Sequence, residues 1–311
     1  MGGISEMKKL LTNPVYVVIF AIICNVLWGS AYPGIKSGYA LFNITDSLFT
    51  KILFAGIRFS AAGFIVLVYS AVVNRKIPVI KKKDLSSVLL VSLVYTVCQY
   101  MFFYVGLSNT SGTNGSIVNS TSTFMAVIIA HFVYPDDKLN LRKVLGFILG
   151  FSGVLFVTVG GGHGSFTFFG EGFVMIAALC FVIGSVLIKK FASEVEAAAM
   201  TGYNMLIGGI VLIAIGVIGG GRFEVVTGKG IAVLTYLSFL SAAAYTLWSA
   251  LLAYNPVGKI SVYNFIIPIS GTILSAVFLK ENIFDWRYLV SLAMVCTGII
   301  IVNKSGRKAV G

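Results

Sequence analysis

The chain has 311 residues, of which 58% are apolar, 13% aromatic and only 11% charged, and its net charge is +12. A soluble domain of this size carries roughly 25% charged and about 45–50% apolar residues, so the cytosolic, disordered and collagen-like classes are excluded. The composition is that of a polytopic protein of the lipid bilayer; its basic excess is assigned to cytoplasmic loops, and nucleic acid is not an expected partner.

Lys8 and Lys9 precede about twenty apolar residues ending at Trp28, a run longer than the apolar region of a secretory leader and expected to stay as the first span. The apolar runs predict spans near 15–36, 48–73, 85–107, 114–134, 143–161, 171–189, 198–219, 230–253, 260–280 and 286–303. All are expected to be helices, because an isolated strand leaves its backbone unpaired in lipid. Cys24, Cys98, Cys180 and Cys296 fall in four different runs with no CxxC spacing, so neither a disulfide nor a metal site is expected.

Taken alternately, the connections divide the Lys and Arg residues unevenly. The amino terminus, the 74–84 and 135–143 loops, Lys189, Lys190, Lys259 and the tail hold sixteen. The other set holds six: Lys36, Lys51, Arg222, Lys229, Lys280 and Arg287. Positive charge gathers on the cytoplasmic side, so both termini are expected there, in the cytoplasmic membrane, with an even number of spans.

The chain also resembles itself. At an offset of 145, Tyr100 falls on Tyr245, Phe103 on Trp248, Asn119 on Asn264, Asp136 on Glu281, Arg142 on Arg287 and Gly153 on Gly298; at 155, Gly29-Ser30 falls on Gly184-Ser185. Residues 14–161 and 165–304 then form two units of five spans, and an odd span number inverts the second unit against the first. The expected fold is all-α: ten transmembrane helices as two inverted five-helix repeats around a central cavity.

No Asp or Glu falls at membrane depth; the eleven acids sit in loops or at span ends, which argues against an acidic proton relay and favours facilitated diffusion or exchange. His131 is either a substitute titrating group or an interfacial anchor. Arg58 is the one charge well inside a span. With Lys36 it forms either a positive gate or vestibule for carboxylates, or a set that snorkels and caps carbonyl groups. Polar and aromatic residues mark the cavity: Trp28, Gln99, Tyr100, Phe103, Asn119, Thr123, Tyr245, Trp248, Asn264 and Pro268 are the candidate substrate-binding residues. Rings give stacking walls and amides give hydrogen-bonding selectors for a small organic molecule. Gly29 and Pro268 are candidate hinge elements.

Several motifs share an order with a known family. Trp28-Gly29-Ser30 followed by Lys36, Arg58-Phe59, Phe102 to Leu107 running into Asn109-Thr110-Ser111, Pro268 and Leu279-Lys280-Glu281 together resemble the ten-span EamA-type members of the drug/metabolite transporter superfamily. The resemblance implies a basket of inverted repeats, a cavity lined by spans one, three, four, six, eight and nine, and substrates among amino acids, other metabolites and organic cations. Thr123 stands where Pro268 falls in the second half, so symmetric hinging is not expected. The reading is a secondary transporter, expected to export metabolites such as aromatic or apolar amino acids by alternating access. Amphipathic cationic drugs, nutrient import and a non-transporting scaffold are the alternatives. It is not expected to be an enzyme or to need a cofactor, and is a monomer or a homodimer.

Overall fold

The computed structural model describes residues 9–45, 47–133, 139–159, 166–191, 195–255, 262–283 and 285–304. The expected span ends at 134, 160–161 and 260–261 lie outside them, as do Lys8, Asp136 and Lys259. Among the described residues there is no strand, and ten helical segments follow in order.

Segment α1, Pro14–Leu41, opens with proline in its first turn and the Asn13 side chain accepting from Val15 N, and it continues past Pro33. α2 spans Leu48–Asn74, with Ser47 capping Thr50 N. α3, Lys82–Ser108, contains a π-helical stretch at Ser92–Cys98. α4, Gly112–Val133, tightens at Ser120 between Gly112–Asn119 and Thr121–Val133. α5 is Leu141–Val159. α6, Phe168–Phe191, starts with a π turn at Phe168–Gly172. α7 is Ala197–Ile218 and α8 is Gly228–Tyr254. α9 joins the 3-10 turn Val262–Phe265 to the α-helix Ile266–Leu279, and α10 is Trp286–Lys304.

Seven of these, α1 to α4 and α6 to α8, are long and apolar enough to cross a membrane; Tyr263–Leu279 and Trp286–Val302 are shorter apolar helices. Large apolar side chains such as Phe64, Val72, Val277 and Leu289 point outward, as lipid contact requires.

α2 lies along α7, and α5 along α10; α1 packs on α8 and α9, α6 packs on α3 and α4, and α4 meets α9. Without a hydrophobic force between helices in lipid, close packing of small residues takes its place. A Cβ added to Gly56 would lie 2.9 Å from the Gly209 carbonyl, and one on Gly63 2.6 Å from that of Gly202. In the same way Gly146 meets the Gly298 carbonyl, while Gly153 meets Ser291, whose hydroxyl donates to the Gly153 carbonyl at 2.7 Å. These contacts fix α2 antiparallel to α7 and α5 antiparallel to α10.

Two details depart from the hinge expectation. Pro268 sits in the first turn of Ile266–Leu279, where its missing N–H has no helical partner to lose. α4 has no proline at Thr123 yet tightens at the matching level, with Ser120 N bonded to Ile117 O and Thr123 N to Ser120 O. Ser120 and Thr121 hydroxyls also donate to the Ile117 and Val118 carbonyls, as back-bonding hydroxyls do in bent helices.

Candidate functional site

The site is built where α1, α3 and α8 converge. The π turn of α3 adds a residue to its winding and ends at Cys98, so that Tyr95, Thr96, Gln99, Tyr100, Phe103 and Tyr104 are all buried. The Tyr100 and Tyr245 hydroxyls hydrogen-bond directly. Around them Trp28 meets Tyr245 at 5.5 Å and Trp248 at 5.1 Å between centroids, edge to face, and Tyr95 meets Tyr245 at 5.9 Å. Phe59 lies 3.8 Å from Tyr100, and Tyr32 lies 5.7 Å from Phe103. The expected walls Trp28, Tyr100, Phe103, Tyr245 and Trp248 therefore form one continuous aromatic cluster. Trp28 and Trp248 are half-buried, the others buried.

Several buried polar atoms have no partner. Trp28 Nε1, Gln99 Oε1, Asn25 Oδ1 and Asn264 Oδ1 are buried without a hydrogen-bond partner. Such a group costs roughly 1–3 kcal/mol, so a folded protein that keeps several has a use for them. Gln99 lies beside the Tyr245 hydroxyl and Asn119 beside that of Tyr32. Asn25 sits one turn before Trp28 and spends its amide N–H on Ala21 O at 2.7 Å. Asn264 belongs to the 3-10 turn that packs on α1. Thr123 and Pro268 are buried where α4 and α9 change pitch.

The basic residues are used differently. Arg58 is 3% exposed; its Nε donates to Leu237 O at 3.2 Å and Ser241 Oγ at 3.0 Å, Nη2 to Ser241 Oγ at 2.8 Å, and Nη1 to the Tyr104 hydroxyl at 2.9 Å. It also lies 4.9 Å over the Phe59 ring. The guanidinium thus bonds from α2 to groups on α3 and α8. Lys36 is half-buried, with Glu281 and Lys51 as charged neighbours. The Glu281 carboxylate accepts from Gly112 N at 2.7 Å and Thr113 N at 2.9 Å, neutralising the amino end of α4. Glu171, buried in the π turn of α6, accepts from the Thr110 hydroxyl and from the N–H and hydroxyl of Thr167. His131 Nδ1 accepts from Leu139 N, tying the end of α4 to the residues just before α5.

Sequence reasoning missed Phe59, Tyr95, Thr96, Tyr104, Asn204 and Ser241. Ser241 falls on Thr96 at the same 145 offset that pairs the two tyrosines, so that signal was present; Tyr95 comes inward only because α3 carries a π turn, which no local pattern announces.

An all-helical, multi-pass membrane protein with an aromatic, amide-lined site is the class these observations define. The EamA-like transporter family profile matches residues 15–159 and again 168–304. The chain belongs to the EamA-like transporter family. Its curated relatives include the "WAT1-related protein At3g02690, chloroplastic" of Arabidopsis thaliana, 27% identical over 290 residues, covering 89% of this chain and 66% of that protein. They also include the "Uncharacterized transporter YvbV" of Bacillus subtilis, 26% identical over 310 residues, covering 97% of this chain and 95% of the relative. The chain thus spans just under two thirds of the plant protein and nearly all of the bacterial one. A solved crystal structure superposes with a TM-score of 0.68 at 14% identity, covering 92% of this chain and 97% of the other, a likeness of fold alone. Nothing in family, relatives or site points to catalysis.

Proposed function

We propose that this transporter is a ten-span carrier of two inverted five-helix repeats that moves small organic metabolites, aromatic or apolar amino acids first, outward across the cytoplasmic membrane, with both termini in the cytoplasm. The packing supports the repeat. Adding or subtracting five from each segment number turns the α1–α8 contact into α6–α3, α1–α9 into α6–α4 and α2–α8 into α7–α3, all of which occur, while α2–α7, α4–α9 and α5–α10 map onto themselves. At residue level, an offset of 146 converts the Gly56–Gly209 contact into Gly202–Gly63, and 145 converts Gly146–Gly298 into Ser291–Gly153. The positive-inside count supports the orientation.

The observation that carries the substrate reading is the set of buried side-chain atoms without partners, Trp28 Nε1 on a ring of the cluster and Gln99 Oε1 beside the Tyr245 hydroxyl among them. Gln99 Oε1, Asn25 Oδ1 and Asn264 Oδ1 want N–H donors, which an ammonium group offers; Trp28 Nε1 offers a donor to a carboxylate; the rings take an apolar body. A second reading, amphipathic organic cations, rests on the same amide oxygens, Gln99 Oε1, Asn25 Oδ1 and Asn264 Oδ1, which accept from any N–H-bearing cation. With no carboxylate among the unpaired buried atoms, exchange or facilitated diffusion is the proposed mode.

Labelled amino-acid exchange in proteoliposomes, with and without a pH gradient, tests this. Saturable exchange that collapses in Trp28→Ala and Asn264→Ala is the expected result, indifferent to the gradient. Flux of organic cations alone would shift the substrate to the second reading. No flux across either panel would favour a scaffold.

A further inference from the structure

Arg58 on α2 and Asn204 on α7 hold the same position in the two halves: the offset that places Gly56 on Gly202 and Gly63 on Gly209 places Arg58 on Asn204. Their partners correspond too. Arg58 bonds Ser241 on α8, the Thr96 hydroxyl on α3 donates to Asn204 Oδ1 at 2.7 Å, and Thr96 falls on Ser241 at an offset of 145. The molecule thus holds two copies of one helix-to-helix clasp, α2 to α8 and α7 to α3. Thr96 stands one turn before Tyr100 and Ser241 one turn before Tyr245. α8 runs antiparallel to α1, as the contacts from Cys24–Ala244 to Leu41–Thr227 show, and α3 runs antiparallel to α2, from Phe54–Tyr104 to Phe59–Tyr100. The two clasps therefore lie to either side of the Tyr100–Tyr245 contact, toward opposite ends of the bundle.

They have diverged in strength. The Arg58 clasp is charge-assisted, makes two bonds to Ser241 and adds Leu237 O and the Tyr104 hydroxyl, so that three helices are tied. The Asn204 clasp is one neutral bond, and the amide N–H groups of Asn204 stay within its own helix, on Met200 O and Thr201 O. Beyond Arg58, Tyr39, Phe42, Phe54 and Tyr104 are buried ring against ring; around Asn204, Val91, Met200 and Met205 are buried too, but aliphatic, with no ring cluster of that kind among them.

We propose that the two clasps are opposed gates of unequal strength: Arg58–Ser241–Tyr104 holds its end of the bundle shut at rest, and Thr96–Asn204 is the one that parts first. With both clasps formed in the structure, the Asn204 end, which is the cytoplasmic end under the orientation proposed above, is the one that opens first. The substrate bound at the rings plays no part in setting this rest state.

Thiol labelling tests the gates without any substrate, so a failure of the transport reading leaves the result interpretable. In a background with Cys24, Cys98, Cys180 and Cys296 changed to Ala, single cysteines report each end: Ile35→Cys on the Arg58 side and Ser185→Cys beside Tyr95 on the other. A hydrophilic maleimide is expected to modify Ser185→Cys and spare Ile35→Cys. Adding Arg58→Gln, or Ser241→Ala with Arg58 kept, should raise Ile35→Cys labelling by about tenfold or more and lower that of Ser185→Cys. Asn204→Ala should leave Ile35→Cys protected. Should Arg58→Gln not fold, Ser241→Ala carries the test alone. Unchanged protection of Ile35→Cys in the monodisperse Ser241→Ala protein would overturn the proposal, and so would an Asn204→Ala effect equal to that of Ser241→Ala.

Discussion

At the scale of single residues, the buried polar atoms divide into those that are spent and those that are held open. Arg58 is spent: each of its three nitrogens donates to a buried acceptor. Tyr104→Phe leaves one guanidinium N–H unpaired, and thermal unfolding in detergent should show a loss of about 1–3 kcal/mol. Gln99 Oε1 is held open, so the opposite split is expected there. Gln99→Leu should unfold at the same temperature or higher, because an unpaired oxygen leaves the interior, while exchange falls by about tenfold, the worth of one lost substrate bond. A drop in both quantities would make Gln99 a structural residue. Most of this set was legible in the sequence, since Trp28, Gln99, Tyr100, Tyr245 and Asn264 are polar or aromatic residues in runs that otherwise have little reason to hold them. What no sequence pattern separates is a spent Arg58 from a free one: that depends on Ser241, 183 residues away.

At the scale of helices, small residues decide which pairs approach and irregular turns decide what they present. Gly209→Val would drive its side chain into the backbone of α2 at Gly56 and Ser60. A cost of about 1–3 kcal/mol is expected, read as a lower midpoint of thermal aggregation, and Ala should cost less than Val. Gly29→Val should behave alike, since a Cβ there would lie 2.9 Å from Gly271 N on α9. That makes Gly29 a contact point between α1 and α9 in this state. The apolar runs predicted the helices to within a few residues except at the end of α1, which continues through Pro33 to Leu41. The tightening at Ser120 was hidden because proline was the expected marker, whereas a run of hydroxyl residues, Ser120 to Thr123, does the same work by bonding back to the preceding carbonyls. The two halves therefore change pitch at matching levels by different chemistry.

At the scale of the whole molecule, the lopsided distribution of Lys and Arg and the self-similarity at 145 residues set an expected topology before any contact was known. Tags at the two ends are expected to be cleaved from the same face of sealed vesicles by an added protease; cleavage from opposite faces would require an odd span count and remove the inversion. The helix contacts themselves were not legible, because in lipid a greasy surface carries no instruction about its partner, and only the spacing of small residues does.

The crosswise meeting of Gly56 with Gly209 and of Gly63 with Gly202 constrains how such a chain can diversify. Along that seam each half is the mould for the other, so a bulkier residue acquired in one copy must be answered in its twin, and the pair drifts in step. Away from the seam nothing enforces agreement. There the copies are free to part company, and they have done so, arginine against asparagine and serine against threonine.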